Sequence, residues 1–191
     1  VGIADETTWT FTAADETDPA LSTLSPADDA TSIATTSNLL ITFDDIVDAE
    51  TGGTISLYKS DDTLVETFTI PDAQVTGTGT TTITIDPASD LDEYTSFYVQ
   101  ISSTAFDDVN GNSYAGISDE TTWTFTSADE TNPAVLTLSP VDNATGVTTT
   151  SNLVIVFTEA VDAETGGTIT LYKSDDTLVE TFTIPDAQVT G

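Results

Sequence analysis

The sequence contains no cysteine, no histidine and no methionine among its 191 residues. Without cysteine there are no disulfides and no thiol nucleophiles, and without histidine there is no imidazole base. Zinc and haem sites lose their usual protein ligands for the same reason. Because most catalytic toolkits are absent, the sequence predicts a protein that is not an enzyme.

Basic residues are nearly absent as well. Lys59 and Lys173 are the whole basic inventory against 33 acidic residues, which gives a formal net charge of -31 at pH 7. Binding a phosphate backbone requires clustered lysine or arginine, so the composition excludes a nucleic-acid partner. An acidic, threonine-rich chain without cysteine favours an extracellular, salty or calcium-containing setting.

Long hydrophobic runs and strong helix-forming residues are also scarce. No stretch of about 18 apolar residues occurs, so the sequence predicts no membrane span. The hydrophobic content of 38% is too high for simple disorder. Since threonine is abundant while lysine is rare and arginine and methionine are absent, we expect an all-β fold.

The most informative feature that is present is an internal repeat. The segment Glu-Thr-Thr-Trp-Thr-Phe-Thr occupies residues 6–12 and again residues 120–126, an offset of 114. Residues 57–77 reappear unchanged as 171–191, and only 17 positions differ between residues 1–77 and 115–191. The offset predicts the last strand of a preceding repeat in 1–12, a complete repeat in 13–126 and the first part of a following repeat in 127–191.

Alternation with a period of two predicts short strands separated by Gly, Pro, Asp and Ser clusters. Seven strands are predicted in the complete repeat: residues 21–24, residues 38–43, a strand with Ile55 and Leu57, residues 63–70, a strand with Ile83 and Ile85, a strand with Phe97, Val99 and Ile101, and a strand with Trp123 and Phe125. By the same alternation, Trp9 and Trp123 are expected in the core. Seven short strands without a helical pattern predict tandem Ig-like β-sandwich repeats of 114 residues.

Four motifs carry a resemblance to a known family: Leu-Ser-Pro-Ala-Asp-Asp-Ala at 24–30, residues 38–43 followed by an acid, Leu-Asp-Glu-Tyr-Thr-Ser-Phe at 91–97, and Phe-Asp-Asp-Val-Asn-Gly-Asn at 106–112. The repeat resembles the bacterial Ig-like domains of the S-layer type, which occur in long arrays in giant surface adhesins. This resemblance implies a spacer role outside the cell, at the bacterial surface, with calcium often bound at domain junctions.

Acidic residues are expected to gather at the two poles of each sandwich, because alternate loops share a pole. The predicted metal ligands at the entry pole are Asp15, Glu16, Asp18, Asp45, Asp48, Asp107, Asp108 and Asn110. Asp28 is predicted at the exit pole, and the second copy supplies Asp129, Glu130, Asn132, Glu159 and Asp162. Crowded carboxylates repel one another, and Ca²⁺ relieves this repulsion because it binds six to eight oxygen ligands.

Simpler interpretations of the same residues stay open. The acids also fit a solvated surface that aids solubility. Residues 107–112 are either a ligand loop or a turn formed by Asn-Gly.

We therefore expect a non-catalytic extracellular spacer repeat of a long bacterial adhesin or surface filament, made rigid by calcium at domain junctions. Its expected partners are neighbouring repeats of the same chain and other copies in a filament. One alternative is a filament or S-layer packing module that associates through exposed strand edges. Another is a weak multivalent glycan-binding repeat, suggested by the threonine-rich residues 78–84.

Overall fold

The computed structural model describes residues 9–191, and the chain divides into two compact units, Val1–Glu130 and Thr131–Gly191. Each unit is built from β-strands and turns. Residues 9–191 contain no apolar helix of the length that a membrane span requires. The first eight residues of the strand predicted in 1–12 lie outside the described residues, and Trp9 to Thr12 are not in a strand.

The first unit contains two five-stranded sheets. In the first sheet the order is β1 (Leu21–Ser25), β3 (Leu39–Ala49), β7 (Thr80–Ile85) and β6 (Val75–Thr76), and β9 (Phe106–Asp108) pairs with the far end of β3. All pairings in this sheet are antiparallel. The long strand β3 therefore connects every part of the sheet.

In the second sheet the order is β2 (Ala30–Ile33), β10 (Thr124–Ser127), β8 (Ser96–Ile101), β4 (Thr54–Lys59) and β5 (Leu64–Thr69). Strand β2 runs parallel to β10, and the other neighbours are antiparallel. The inward residues of both sheets form one hydrophobic cluster. This arrangement confirms the predicted all-β Ig-like sandwich.

Alternation along each strand builds the core. In β3 the buried Leu39, Ile41 and Phe43 alternate with the half-exposed Leu40 and Thr42. Burying a side chain of this size contributes about 1.5–3 kcal/mol to folding. The large aromatic side chains Phe68, Phe97, Phe106, Trp123 and Phe125 complete the same cluster.

The predicted core position is confirmed for Trp123 and differs for Trp9. Trp123 is fully buried, and its indole Nε1 donates a hydrogen bond of 2.9 Å to the carbonyl of Pro26. Trp9 and Phe11 are 74% and 84% exposed. Trp123 directly precedes β10 and lies in the core cluster of the first unit, whereas Trp9 precedes β1 and is in no strand.

Three strands of the first unit were not predicted, namely β2, β6 and β9. Strand β6 has two residues and β9 has three, too few to show alternation. Strand β2 contains Ser32 in the left-handed region at φ 59°, which interrupts its pattern.

Strand β3 also runs further than predicted, to Ala49, so Asp44, Asp45 and Asp48 lie in a strand rather than in a loop. Its pairing with β7 shifts register between Thr42 and Val47, which leaves residues 44–46 exposed. Residues 44–46 are exposed and lack the alternation of buried and exposed side chains, which is why the sequence predicted that the strand ends at residue 43.

The second unit contains two separate hairpin-like pairs, β11 (Val135–Ser139) with β12 (Val154–Phe157) and β13 (Thr168–Tyr172) with β14 (Leu178–Thr183). Their registers repeat those of the first unit at an offset of 114. Ile155 lies opposite Leu138 as Ile41 lies opposite Leu24, and Ile169 lies opposite Phe182 as Ile55 lies opposite Phe68.

Candidate metal centre

Three carboxylates from distant parts of the sequence meet at one end of the first unit. Asp15, Asp45 and Asp108 each offer a carboxylate oxygen, and these oxygens all lie within 4.8 Å of one another. Within residues 9–191 this is the one such group of three or more acidic side chains. All three residues belong to the set predicted at the entry pole.

Aromatic packing positions Asp108. Strand β9 begins at the buried Phe106, whose ring centroid lies 5.5 Å from that of Phe43. On the other side of the turn, the ring of Tyr114 lies edge-on to Phe43 at 5.1 Å. Since both ends of residues 106–114 are fixed against the same ring of β3, the turn between them is held beside that strand.

Hydrogen bonds fix the carboxylate of Asp108, which is only 4% exposed. Its Oδ1 accepts from the backbone nitrogens of Asn110 and Asn112, each at 2.8 Å, and its Oδ2 accepts from Asn112 Nδ2 at 2.8 Å. Burial alone would raise the pKa of this carboxyl. The hydrogen bonds from Asn112 and Asn110 outweigh burial and hold the pKa below its usual value, so Asp108 is ionised at neutral pH.

Asp15 reaches the cluster from the segment that precedes β1. Its Oδ1 accepts from the backbone nitrogen of Thr17 at 3.1 Å, and its Oδ2 accepts from Asn110 Nδ2 at 3.2 Å. Its backbone carbonyl accepts from Asn112 Nδ2 at 3.3 Å. The segment is thereby attached to the turn that carries Asp108.

Asp45 comes from the irregular part of β3. The neighbouring Asp44 holds Ala20 with two hydrogen bonds, one through Oδ1 at 2.7 Å and one through its backbone nitrogen at 3.0 Å. This contact brings the segment before β1 alongside residues 44–46. Asp45 is exposed, and its Oδ1 accepts from the backbone nitrogen of Ile46 at 2.6 Å.

The donor set fits a hard cation. Calcium binds oxygen ligands at about 2.3–2.6 Å, so two oxygens on one ion lie no more than about 5 Å apart. The spacing of up to 4.8 Å among Asp15, Asp45 and Asp108 satisfies this limit. Zinc and copper prefer nitrogen and sulfur ligands, which this cluster lacks.

Positive side chains contribute little to charge balance in this chain. Lys59 forms an ion pair of 2.5 Å with Asp92. Lys173, the other basic residue, belongs to the second unit. Among the described residues, no ion pair to Asp15, Asp45 or Asp108 is formed.

The remaining residues predicted at the entry pole do not belong to the group of three carboxylates. Asp48 lies opposite Asp107 where β3 pairs with β9, and its Oδ1 accepts from Thr78 Oγ1 at 3.3 Å. Asn110 is engaged with Asp15. Glu16 and Asp18 are exposed and do not belong to the group of three.

The predicted ligand Asp28 of the exit pole and the predicted linker ligands Asp129 and Glu130 lie apart from the group of three. Asp28 Oδ1 accepts from the backbone and hydroxyl of Thr124 at 2.9 and 3.1 Å. Glu130 Oε2 accepts from Thr35 Oγ1 at 2.6 Å. Asp129 is exposed and lines a groove with Tyr94. The structure does not gather these acids into a cluster comparable to the one at Asp108.

The predicted ligands of the second copy are distributed over both units. By the offset of 114, Asp129 corresponds to Asp15 and Glu159 to Asp45. Asn132, Glu159 and Asp162 lie in the second unit, where Asn132 and Asp162 are exposed and Glu159 is half-buried. Among the described residues, the group of three carboxylates occurs once, in the first copy.

Sequence reasoning missed the role of Asn112. Its side-chain and backbone nitrogens bond to Asp108, and its side chain also bonds to Asp15. The turn formed by Asn110 and Gly111, with Gly111 at φ 88°, is what folds Asn112 back onto Asp108. The two interpretations of residues 107–112, a turn and a ligand loop, are therefore compatible.

Three solved structures are similar to the chain. CopC from Methylosinus trichosporium OB3b has 15% identity and a TM-score of 0.42, and the match covers 60% of this chain and 97% of CopC. The S-layer protein rSbsC(31-844) has 14% identity and a TM-score of 0.39, with 85% of this chain and 19% of that one covered. Domains 1-6 of surface layer protein SbsC have 14% identity and a TM-score of 0.41, with 88% and 24% covered.

These S-layer proteins are much longer than the chain, which spans no more than about a quarter of either. No curated protein sequence matches it significantly. The profile described as bacterial Ig-like domain matches residues 15–127 and again residues 129–190. These two matches follow the repeat of 114 residues, and the chain belongs to the bacterial Ig-like domain family, of which it carries tandem copies.

Proposed function

We propose that the protein is a non-catalytic spacer of a long bacterial adhesin or surface filament, located outside the cell, in which Ca²⁺ stiffens the segment that enters each repeat. Family membership supports a structural module. Tandem copies support a spacer, since length is gained by repeating one unit. The printed names of two similar structures, both S-layer proteins, agree with a place at the cell surface.

One observation carries the calcium part of the proposal. Asp15 belongs to the segment between the repeated Trp-Thr-Phe-Thr motif and β1, whereas Asp45 and Asp108 belong to the body of the repeat. An ion held by all three attaches the entering segment to β3 and β9. Exposed sites of this kind bind calcium with a dissociation constant of about 10⁻⁴–10⁻³ M, which suffices outside the cell.

Calorimetric titration of the 191-residue chain with CaCl₂ tests the binding. We expect one ion per chain at the three-carboxylate group and loss of that binding in Asp108→Asn. Asp61→Asn, which removes the same charge from an exposed turn, is the matched control and retains binding. Equal heats of calcium binding in Asp108→Asn and Asp61→Asn would show that calcium does not bind at the three-carboxylate group.

Limited proteolysis tests the stiffening. Cleavage after Glu16 by a glutamate-specific protease is expected to slow when calcium is added, because Glu16 adjoins Asp15. The same protection should disappear in Asp45→Asn. If calcium binds and cleavage after Glu16 proceeds at an unchanged rate, the ion does not rigidify the entering segment.

The alternative of lateral packing through strand edges meets an obstacle at β5, an edge strand of the second sheet. Glu66 lies on the same face of β5 as the buried Phe68, and it accepts from Gln74 Nε2 at 3.1 Å and from the backbone of Ala88 at 3.0 Å. Inward charges on edge strands oppose edge-to-edge pairing. A spacer is therefore the function we favour.

A further inference from the structure

The second unit exposes apolar side chains that the first unit buries at equivalent positions. Leu39, Ile41, Ile55 and Leu57 have no exposed surface in the first unit, whereas their counterparts Leu153, Ile155, Ile169 and Leu171 are 61%, 44%, 41% and 37% exposed. All four pairs are the same residue type. Sequence therefore does not explain the difference.

Local structure does not explain it either. The strand pairs of the second unit have the registers of their counterparts in the first, including the shift between Leu57 and Tyr58 that recurs between Leu171 and Tyr172. What differs is the next strand on each side. The open edges belong to β12 and β13.

The first unit shows what covers this surface. Strand β7 pairs with β3 and places Ile85 opposite Leu39 and Ile83 opposite Ile41. Strand β8 pairs with β4 and places Ile101 opposite Ile55 and Val99 opposite Leu57. Phe97, Phe106, Trp123 and Phe125 fill the space between the sheets.

We propose that the apolar face of the second unit binds a polypeptide with the sequence of residues 78–128, the second half of a repeat, by strand addition to β12 and β13. Backbone hydrogen bonds at the two edges and burial of alternate apolar side chains supply the affinity. We choose this occupant because residues 78–128 carry the apolar side chains that cover the equivalent face in the first unit. Another copy of the second unit offers no counterpart of Trp123.

A second difference between the units agrees with this occupant. Val75 and Thr76 form β6 by pairing with β7, whereas the identical Val189 and Thr190 are not in a strand. Their partner strand is part of the proposed ligand. Binding should therefore convert residues 189–190 into a strand.

The test supplies residues 78–128 as a second copy attached after Gly191 through a linker that a sequence-specific protease cuts. After cleavage, size-exclusion chromatography with light scattering is expected to show a stable one-to-one complex of the 191-residue chain and the released segment. The amides of residues 189–190 should gain protection from hydrogen exchange. A released segment that elutes apart from the chain would overturn the proposal.

Two variants of the second unit form a matched pair. Ile155→Asp places a charge where Ile41 is fully buried and is expected to weaken binding by about 100-fold or more. Val179→Asp adds the same charge where Val65 stays 42% exposed in the complete repeat, and binding should stay within about threefold. Both variants leave the first unit unchanged.

Two other outcomes would contradict the proposed occupant. Equal binding by the Ile155→Asp variant would mean that the segment enters the first unit or adheres elsewhere. A stable dimer of the unmodified 191-residue chain, lost in Ile155→Asp, would mean that a second copy of the chain covers the face instead.

Discussion

Asn112 and Asp108 are joined by three hydrogen bonds of 2.8–2.9 Å, two of them received by the carboxylate and one donated by the Asp108 backbone to the Asn112 carbonyl. The side chain of Asn112 also donates to the carbonyl of Asp15 at 3.3 Å. One neutral residue thus orients a buried acid and the segment that enters the repeat. This geometry makes Asn112 a positioning residue for the carboxylate of Asp108 and for the segment that carries Asp15.

Replacing Asn112 tests that role. Asn112→Ala removes the side-chain donor and should weaken calcium binding by about tenfold, because losing a group that orients a metal ligand costs about 10–100-fold in affinity. Titration calorimetry measures the loss. Asn38→Ala, away from the cluster, is the control and should leave the affinity unchanged. Hydrogen-exchange protection of β3 and β8 that is unchanged in Asn112→Ala would separate positioning from a general loss of structure.

The two tryptophans of the repeated motif give a second prediction. Trp123→Ala removes a fully buried ring and its hydrogen bond to Pro26, and should lower the free energy of unfolding of the first unit by about 3–5 kcal/mol. Trp9→Ala removes a side chain that is 74% exposed and should change the free energy of unfolding by less than about 0.5 kcal/mol. Urea denaturation of both variants, followed by circular dichroism, makes the comparison. Equal losses would show that Trp9 is buried in solution.

The alternation of apolar residues was enough to predict the sandwich and its core strands, although it also placed the exposed Trp9 in the core. Leu39, Ile41 and Phe43 alternate cleanly because one face of β3 is buried, and the same holds for Phe97, Val99 and Ile101 in β8. The short strands β6 and β9 escaped prediction because they depend on pairing with longer neighbours rather than on their own pattern.

The sequence was enough to predict which acidic residues gather at the entry pole, but not which three of them approach one another. Sorting loops by pole brought Asp15, Asp45 and Asp108 into one list of eight residues. The sequence could not separate these three from Glu16 or Asp18, because the selection depends on the irregular stretch of β3 and on the turn that Asn112 closes. Those features arise from tertiary pairing of β3 with β7 and β9.

Ser32 gives a third prediction, for which the chain holds its own comparison. Ser32 lies at φ 59°, and the corresponding residue of the second copy is Gly146 at φ 71°. Adopting the left-handed region costs a residue with a Cβ about 1–2 kcal/mol, and glycine avoids this cost. Glycine loses more conformational entropy on folding, so the net gain from the substitution is smaller than the strain that it removes. Ser32→Gly should therefore stabilise the first unit by about 0.5–1 kcal/mol in urea denaturation.

The control for Ser32 is its neighbour. Thr31→Gly introduces glycine in the same strand at a residue without a positive φ, and should destabilise the first unit by about 0.5–1 kcal/mol. A loss of stability in Ser32→Gly similar to that in Thr31→Gly would show that the backbone at residue 32 is relaxed.

Asp119 gives a prediction for acid conditions. Its carboxylate accepts from the backbone nitrogens of Thr121 and Thr122, both at 2.8 Å, and from both threonine hydroxyls at 2.8–2.9 Å. These hydrogen bonds, that of the Thr121 backbone first, lower the pKa of Asp119 from 3.8 to about 2. Because the folded-state pKa is depressed, the stabilisation is present above pH 3.8 and is lost as the pH falls toward 2.

NMR titration of the Asp119 carboxyl carbon measures this directly. We expect a midpoint near pH 2 in the unmodified chain and a higher midpoint in Thr122→Val, which keeps the shape of the side chain and removes the hydroxyl donor. Thr63→Val removes a hydroxyl from another exposed turn and serves as the control, with the Asp119 midpoint unchanged. An Asp119 midpoint near 3.8 in the unmodified chain would mean that the four hydrogen bonds do not persist in solution, because each of them stabilises only the ionised carboxylate.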